Sequence, residues 1–134
     1  MSGAIIRPAR SEDLPAIAAL LADDGLGRGR ESTDMGVYHA AFQRMEGQPG
    51  NIYLVAVVDG DVAGCLQYTV IHGLSRSGAS RAQIEGVRVA ASARGQRIGE
   101  TMMNAAMDRA RADEKRFYER LGFVASHFGM KLAL

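Results

Sequence analysis

Val87-Arg88-Val89-Ala90-Ala91-Ser92-Ala93-Arg94-Gly95-Gln96-Arg97-Ile98-Gly99 decides how the chain is read. An apolar strand end runs into a loop of small residues, and a helix opens near Gln96. The first turn of a helix leaves backbone N–H groups unpaired and carries a partial positive charge. Phosphate oxygens fit there, and glycines let the backbone approach them closely. The Gly-Lys-Ser/Thr ending of a Walker loop is absent, as is a dinucleotide fingerprint. By itself the stretch serves equally as an anion cradle or as a glycine-eased turn from strand to helix.

Upstream of the cradle, Arg81 to Val89 alternates as a long strand, with Ala82, Ile84 and Gly86 on one side and Gln83, Glu85 and Val87 on the other. Before it, Ile52 to Val58 is an almost continuous apolar run, the pattern of a strand covered on both faces. Asp59-Gly60 signals a tight turn, so Val62 to His72 pairs with that run as a hairpin. Gly73 to Ser80 is a loop. At the start, Ala4 to Arg7 forms a short strand ended by Pro8, and Ser11 caps a helix marked by Leu14, Ile17, Ala18 and Leu21. A second helix is expected over Glu31 to Met45. Downstream, the stripe Ile98, Met102, Met103, Ala106 and Ala110 continues through Arg111 to Arg116 and on to Leu121, which reads as one helix of about seven turns. His127 to Leu134 is a last strand.

The chain has 134 residues and 14.3 kDa, enough for a single domain over 1–134. With 47% hydrophobic and 23% charged residues it belongs with globular domains, which excludes disorder. The single cysteine, Cys65, excludes an intrachain disulfide and reads as a small buried hydrophobe. A net charge of +1 argues against a dedicated nucleic-acid binder, and no apolar run reaches the ~20 residues of a membrane span. With no signal core in Met1 to Arg10, a cytoplasmic protein is expected. The charge is nonetheless divided. Residues 1–75 hold five Lys/Arg against nine Asp/Glu, and residues 76–134 hold eleven against six. That basic excess includes Arg76, Arg81, Arg88, Arg94 and Arg97, and a field of this sign draws in a small polyanion. Charge alone fits an ordinary solvated surface as well.

A second constellation, Arg116-Phe117-Tyr118-Glu119-Arg120-Leu121-Gly122-Phe123, closes a helix with glycine. Phe117 and Leu121 suit a core face, and Tyr118 is either a packed tyrosine or a phenol set to donate a proton. In this order the two constellations resemble the GNAT superfamily of acetyl-CoA-dependent N-acetyltransferases. Ile84 to Val89 is similar to that family's central strand, Arg94 to Gly99 to its pyrophosphate motif, and Arg116 to Phe123 to its Phe-Tyr-Glu-x-x-Gly-Phe signature. The resemblance covers nearly the whole chain and implies an α/β (α+β) fold with a mixed, mostly antiparallel sheet flanked by helices.

The resemblance also implies roles. Backbone groups of Val87 and Val89, with Arg88 between them, would hold the pantetheine arm as an added strand. Amides of Arg94, Gly95, Gln96, Arg97, Ile98 and Gly99, with Glu100 opening the helix proper, would hold the pyrophosphate. Tyr118 would protonate the departing thiolate, Glu85 would serve as base unless it only pairs with a neighbouring arginine, and the N–H of Val87 would face the oxyanion. A base answers a physical need. An amine of pKa near ~10.4 is protonated at pH 7, and removing that proton costs about 4–5 kcal/mol. No metal is called for. The expected partner is a small-molecule or peptide amine, favoured as cationic by Asp23, Asp24, Glu31 and Asp34, with neither nucleic acid nor membrane. The family is often homodimeric. A non-catalytic module binding coenzyme A or a partner protein is the competing expectation.

Two departures stand out. Arg97 occupies the place of the motif's first glycine and so lacks glycine's freedom in φ. The family also sets a strand between its cofactor-loop helix and its Phe-Tyr helix, and roughly 10–18 residues for it are absent between Arg109 and Lys115. Omission of a segment from the sequence is favoured over a true deletion, which would remove one wall of the cofactor slot.

Overall fold

A computed structural model describes residues 3–23, 29–118 and 128–129. Its strands are β1 (Ile5–Pro8), β2 (Asn51–Val58), β3 (Asp61–Ile71), β4 (Arg81–Val89) and β5 (Phe128–Gly129). Its helices are α1 (Leu14–Ala22), α2 (Met35–Glu46), the single turn α3 (Ser75–Gly78) and α4 (Ile98–Tyr118). The sheet order is β1-β2-β3-β4-β5, antiparallel from β1 to β4, with β5 parallel to β4. This is the mixed, mostly antiparallel sheet flanked by helices that the sequence implies.

The hairpin forms as read. Asp59 and Gly60 both have positive φ (51° and 84°), the conformation that lets a two-residue turn match the twist of its strands. The first helix differs at its entry. Ser11 lies in a short 3₁₀ turn over Ser11–Asp13, and it is the Asp13 carboxylate that accepts from the Arg10 N–H (2.7 Å) and from both Arg7 guanidinium nitrogens (2.7 and 3.0 Å). The second helix starts four residues later than expected, because the Asp34 side chain accepts from the Gly36 N–H at 2.9 Å and caps it there.

Each sheet face has its own cover. Leu54, Ala56, Leu66, Tyr68 and Ile84 pack with Ile98, Met102, Ala106 and Ala110 of α4. Val55 and Cys65 pack with Leu14, Ile17 and Leu20 of α1. The approach of α4 is close at Gly64, where a Cβ would meet Met102 Cε at 2.8 Å.

α4 runs unbroken through 109–115, so no strand separates the cradle's helix from the Phe-Tyr segment in this chain. Asp113, on this continuous stretch, accepts from the hydroxyl of buried Tyr68 at 2.6 Å, and Arg109 stands 5.9 Å from the same ring. β5 lies beside β4, pairing Ala82 with Phe128 and Gln83 with Gly129. Gly122, Phe123 and the rest of the expected last strand lie outside the described residues.

Candidate active site

The expected alternation along β4 breaks at Gly86. β4 pairs regularly with β3 at Gln83↔Thr69 and Glu85↔Gln67, then slips, and resumes at Arg88↔Cys65 and Val89↔Gly64. Gly86 and Val87 together oppose Leu66, which makes a β-bulge, and Gly86 takes φ +64°, a value that glycine adopts at no steric cost. An extra residue reverses the sidedness of everything after it. Ala82 and Ile84 face α4, and beyond the bulge Val87 and Val89 face α4 as well. Val87 therefore leaves the side shared by Gln83 and Glu85, and Arg88 comes to that side, paired with Cys65.

Backbone direction follows from one hydrogen bond. The Ala90 N–H donates to the Ala63 carbonyl at 2.8 Å, so Ala90 points its backbone at β3. Successive residues alternate, and the main-chain groups of Val89 and Val87 therefore face the outer edge of β4. Among the described residues β5 covers that edge only at Ala82 and Gln83. From Ile84 onward the edge has no strand partner among them, which is what an extended amide-bearing chain needs in order to dock as an added strand.

The edge leads into the loop. Ala91–Ala93 form a 3₁₀ turn, Gly95 takes φ +87°, and among the described residues nothing but its chain neighbours lies within 4 Å of where its Cβ would be. Arg97 adopts φ +59° without being a glycine. That left-handed conformation costs a non-glycine residue on the order of 1 kcal/mol or more. Its carbonyl accepts from the N–H (3.0 Å) and the hydroxyl (2.9 Å) of Thr101, which fixes the first turn of α4. The arginine is bent into the glycine's conformation. Arg94, Gly95, Gln96 and Arg97 are exposed, Gly99 is partly buried with its Cα side against Val89, and Glu100 is exposed in the first turn of the helix. Within this loop the N–H groups of Arg94 and Gln96 donate to the Ala91 and Ala93 carbonyls, each at 3.4 Å, and Arg94 and Arg97 bring positive charge to its exposed side.

Glu85 is partly buried, and Gln83 donates to it at 3.1 Å. Beside it on the same face, Gln67 donates to Asn51 at 2.9 Å. One further group there, Tyr53, escaped the sequence reading, and Glu31, read as one of the acidic residues favouring a cationic acceptor, lies near it. Tyr53 comes from the apolar run of β2, and its hydroxyl stands 3.6 Å from where a Gly86 Cβ would be. Burial, followed by the nearby Cys65, Glu85 and Glu31, holds that phenol above the usual tyrosine range, with Arg88 pulling the other way. Glu31, ahead of α2, accepts from the Tyr38 hydroxyl at 2.6 Å. No sequence signal marks a tyrosine within an apolar strand as facing a bulge two strands further along the chain. Cys65 is fully buried, and its thiol is pushed up to about 12 by burial, so it stays protonated at neutral pH and is no acyl carrier.

The structure does not bring Tyr118 to the cradle. α4 runs back along the sheet, with Gly99 against Val89 and Asp113 against Tyr68, the partner of Ile84. Tyr118 is the last residue of the helix and so lies about 30 Å along its axis from Ile98. From Val89 back to Glu85 a strand covers only about 13 Å, which leaves Tyr118 well beyond the level of Glu85. Among the described residues no group of three His, Cys, Asp or Glu could hold a metal, and no described helix is long and apolar enough to cross a membrane.

Comparison with known proteins agrees with this geometry. The chain is similar over its whole length to a solved transcriptional regulator from Bacillus halodurans C-125, at 37% identity, covering 98% of this chain and 100% of that one, with a TM-score of 0.77. It is also similar to a ribosomal-protein-alanine N-acetyltransferase from Brucella melitensis, at 26% identity over 82% of this chain and 68% of that one, TM-score 0.63. Glucosamine-6-phosphate N-acetyltransferase from Arabidopsis thaliana shares the fold at 18% identity, with 98% of each chain covered and a TM-score of 0.72. No curated protein matches the sequence. The family model for the acetyltransferase (GNAT) family matches residues 16–123, and the chain, with its bulged strand running into a glycine-bearing cradle, belongs to that family.

Proposed function

We propose that the protein transfers the acetyl group of acetyl-CoA to an amine by direct attack within a ternary complex. The observation that carries this reading is the outer edge of β4, which from Ile84 to Val89 has no strand partner among the described residues and leads into the cradle at 94–99. The pantetheine arm would pair with Val87 and Val89, and the pyrophosphate would lie against the amides of Arg94 to Gly99, with Arg94 and Arg97 adding charge. Glu85, on the α1 face beside the bulge, takes the proton from the ammonium directly or through water. The Val87 N–H at the outer edge would donate to the oxyanion that forms as nitrogen attacks the thioester carbon. No protein nucleophile takes part.

The resemblance would assign protonation of the departing thiolate to Tyr118. Its position along α4 weighs against that step, and Tyr118→Phe decides it. A tenfold or greater fall in turnover at unchanged acetyl-CoA affinity restores the role, and unaltered turnover removes it. The proposal as a whole is tested by titrating the protein with acetyl-CoA and by following thiol release with alkylamines, an amino sugar and a peptide with a free N-terminus. Binding together with amine-dependent release supports it. A second reading, a coenzyme A-binding module without turnover, is favoured by the description of the 37%-identical relative as a transcriptional regulator. Binding without release by any amine selects that reading. Failure to bind acetyl-CoA ends both.

A further inference from the structure

The chain has three described tyrosine hydroxyls on or beside its sheet, and two are committed. Tyr38 donates to Glu31 at 2.6 Å, and Tyr68 donates to Asp113 at 2.6 Å. The third, on Tyr53, makes no hydrogen bond among the described residues, and its oxygen is not sealed from solvent. It faces the one place on β4 where a side chain is missing. Among the described residues, and apart from its chain neighbours, only the Tyr53 oxygen would come within 4 Å of a Cβ on Gly86, so the hydroxyl faces the backbone at the bulge.

Its surroundings have a definite sign. Glu85 and Glu31 lie close enough to act on the phenol, opposed by Arg88. A hydroxyl that stays protonated, under the influence of Glu85 and Glu31 and against the partly buried backbone of Gly86, is suited to a ligand that brings N–H donors and positive charge. Its lone pairs accept from the ligand while its O–H remains free to donate. Other sites in the molecule offer less. The shallow groove lined by Ala16, Ala19, Leu20, Asp23, Val62 and Ala90 has nothing on it that commits to an occupant. The strained turn at Arg76 and Ser77 stands exposed without a ligand-directed group.

We infer that the Tyr53 hydroxyl contacts the acceptor, accepting a hydrogen bond from its amine nitrogen over Gly86 while Glu85 stands ready for the proton. This rests on the acetyl-transfer reading above and adds to it a residue that discriminates among acceptors. Tyr53 is a substrate-binding group that sets where the nitrogen waits. It forms and breaks no covalent bond. A compact primary ammonium satisfies the hydroxyl and both carboxylates together, and a tertiary amine, which has too few N–H groups, does not.

Tyr53→Phe keeps the ring and removes only the oxygen. With the best primary amine of the panel, its kcat/KM for the amine is expected to fall 10- to 100-fold, carried mainly by KM. The KM for acetyl-CoA and the affinity for coenzyme A should stay within twofold of wild type, as should the thermal midpoint within a few degrees. In the Tyr53→Phe/Glu85→Gln double variant the combined loss should be smaller than the product of the single losses, because both groups act on one nitrogen. An amine kcat/KM within twofold of wild type overturns the inference, and so does an equal rise in the acetyl-CoA KM, which would mark a structural role. If the wild type binds acetyl-CoA yet acetylates no amine, the transfer reading has failed and this inference falls with it. An active wild type with an indifferent Tyr53→Phe sinks the inference alone.

Discussion

The two faces of the central sheet are made from the same strands, one residue apart, and they differ in kind. Towards α4 lie Leu54, Ala56, Leu66, Ile84 and Met102, nearly all of them inaccessible to solvent. Towards α1 and α2 the apolar cover stops at Val55 and Cys65, and the surface continues as Tyr53, Gln67, Gln83 and Glu85. The α4 face holds the protein together, and the other face is left polar enough to meet a substrate. Between the two, the bulge at Gly86 exchanges which residues belong to which face, so that the backbone rather than the side-chain pattern alone sets the site.

That division can be broken from either side. The largest stability effect should come from Met102→Ala on the dry face. Deleting a fully buried methionine costs about 2–5 kcal/mol, read as a lowered denaturant midpoint, with the amine KM unaffected in the molecules that remain folded. A similar size of effect in the opposite currency is expected from Glu85→Gln on the polar face. Loss of a general base should lower kcat by about 10²–10³-fold while the melting temperature hardly moves. A stability loss as large as that of Met102→Ala would erase the contrast between the faces.

Smaller still is the response to acid at the edge of the sheet. The hydrogen-bonded Arg7 guanidinium holds the Asp13 carboxyl below its ordinary range, against burial that pushes it up. A group whose pKa is depressed by folding stabilises the native state above its unfolded value of about 3.9, and that contribution fades as pH falls through its lower folded value. Asp13→Asn should therefore cost about 1–3 kcal/mol at pH 7, and the gap from wild type should close below about pH 4. A gap that persists in acid would mean that packing rather than charge is lost. The smallest effect is expected at the cradle. Arg97→Gly relieves a left-handed arginine but adds glycine's entropy to the unfolded chain, for a net stability change within about 1 kcal/mol. Coenzyme A affinity should weaken several-fold and more steeply at low salt, since a charge is removed next to the pyrophosphate. Unchanged affinity at low salt would show that the backbone alone holds the phosphates.

Much of the fold was legible because its signals are local. Asp59-Gly60 takes left-handed φ at two successive residues, the geometry of a tight two-residue hairpin turn. The 98–110 stripe follows the helical period, and the unbroken α4 obeys it straight through the place where a further strand would belong to the family's plan. The site was legible in part. The cradle at 94–99 announced itself through glycines and arginines, and Glu85 through its strand position. Helix starts were misplaced where a side chain decided them: Asp34 caps the helix expected from Glu31, and Asp13, not Ser11, makes the hydrogen bond at the entry to the first helix.

What the chain of letters determined by itself is the order of elements, the turn chemistry and the glycine-bearing loop ahead of α4, all governed by contacts a few residues apart. What the tertiary structure decided is which groups meet. A bulge needs two strands before it exists, so the crossing of Val87 to the α4 face and the arrival of Arg88 beside Cys65 could not be read from alternation. Tyr53 looked like one more apolar strand residue until the sheet set its hydroxyl over Gly86. Tyr118, so suggestive within its motif, was carried away from the cradle by the regularity of its own helix. Long-range placement depends on how rigid elements stack, and that information is spread over the whole core rather than written beside any one residue.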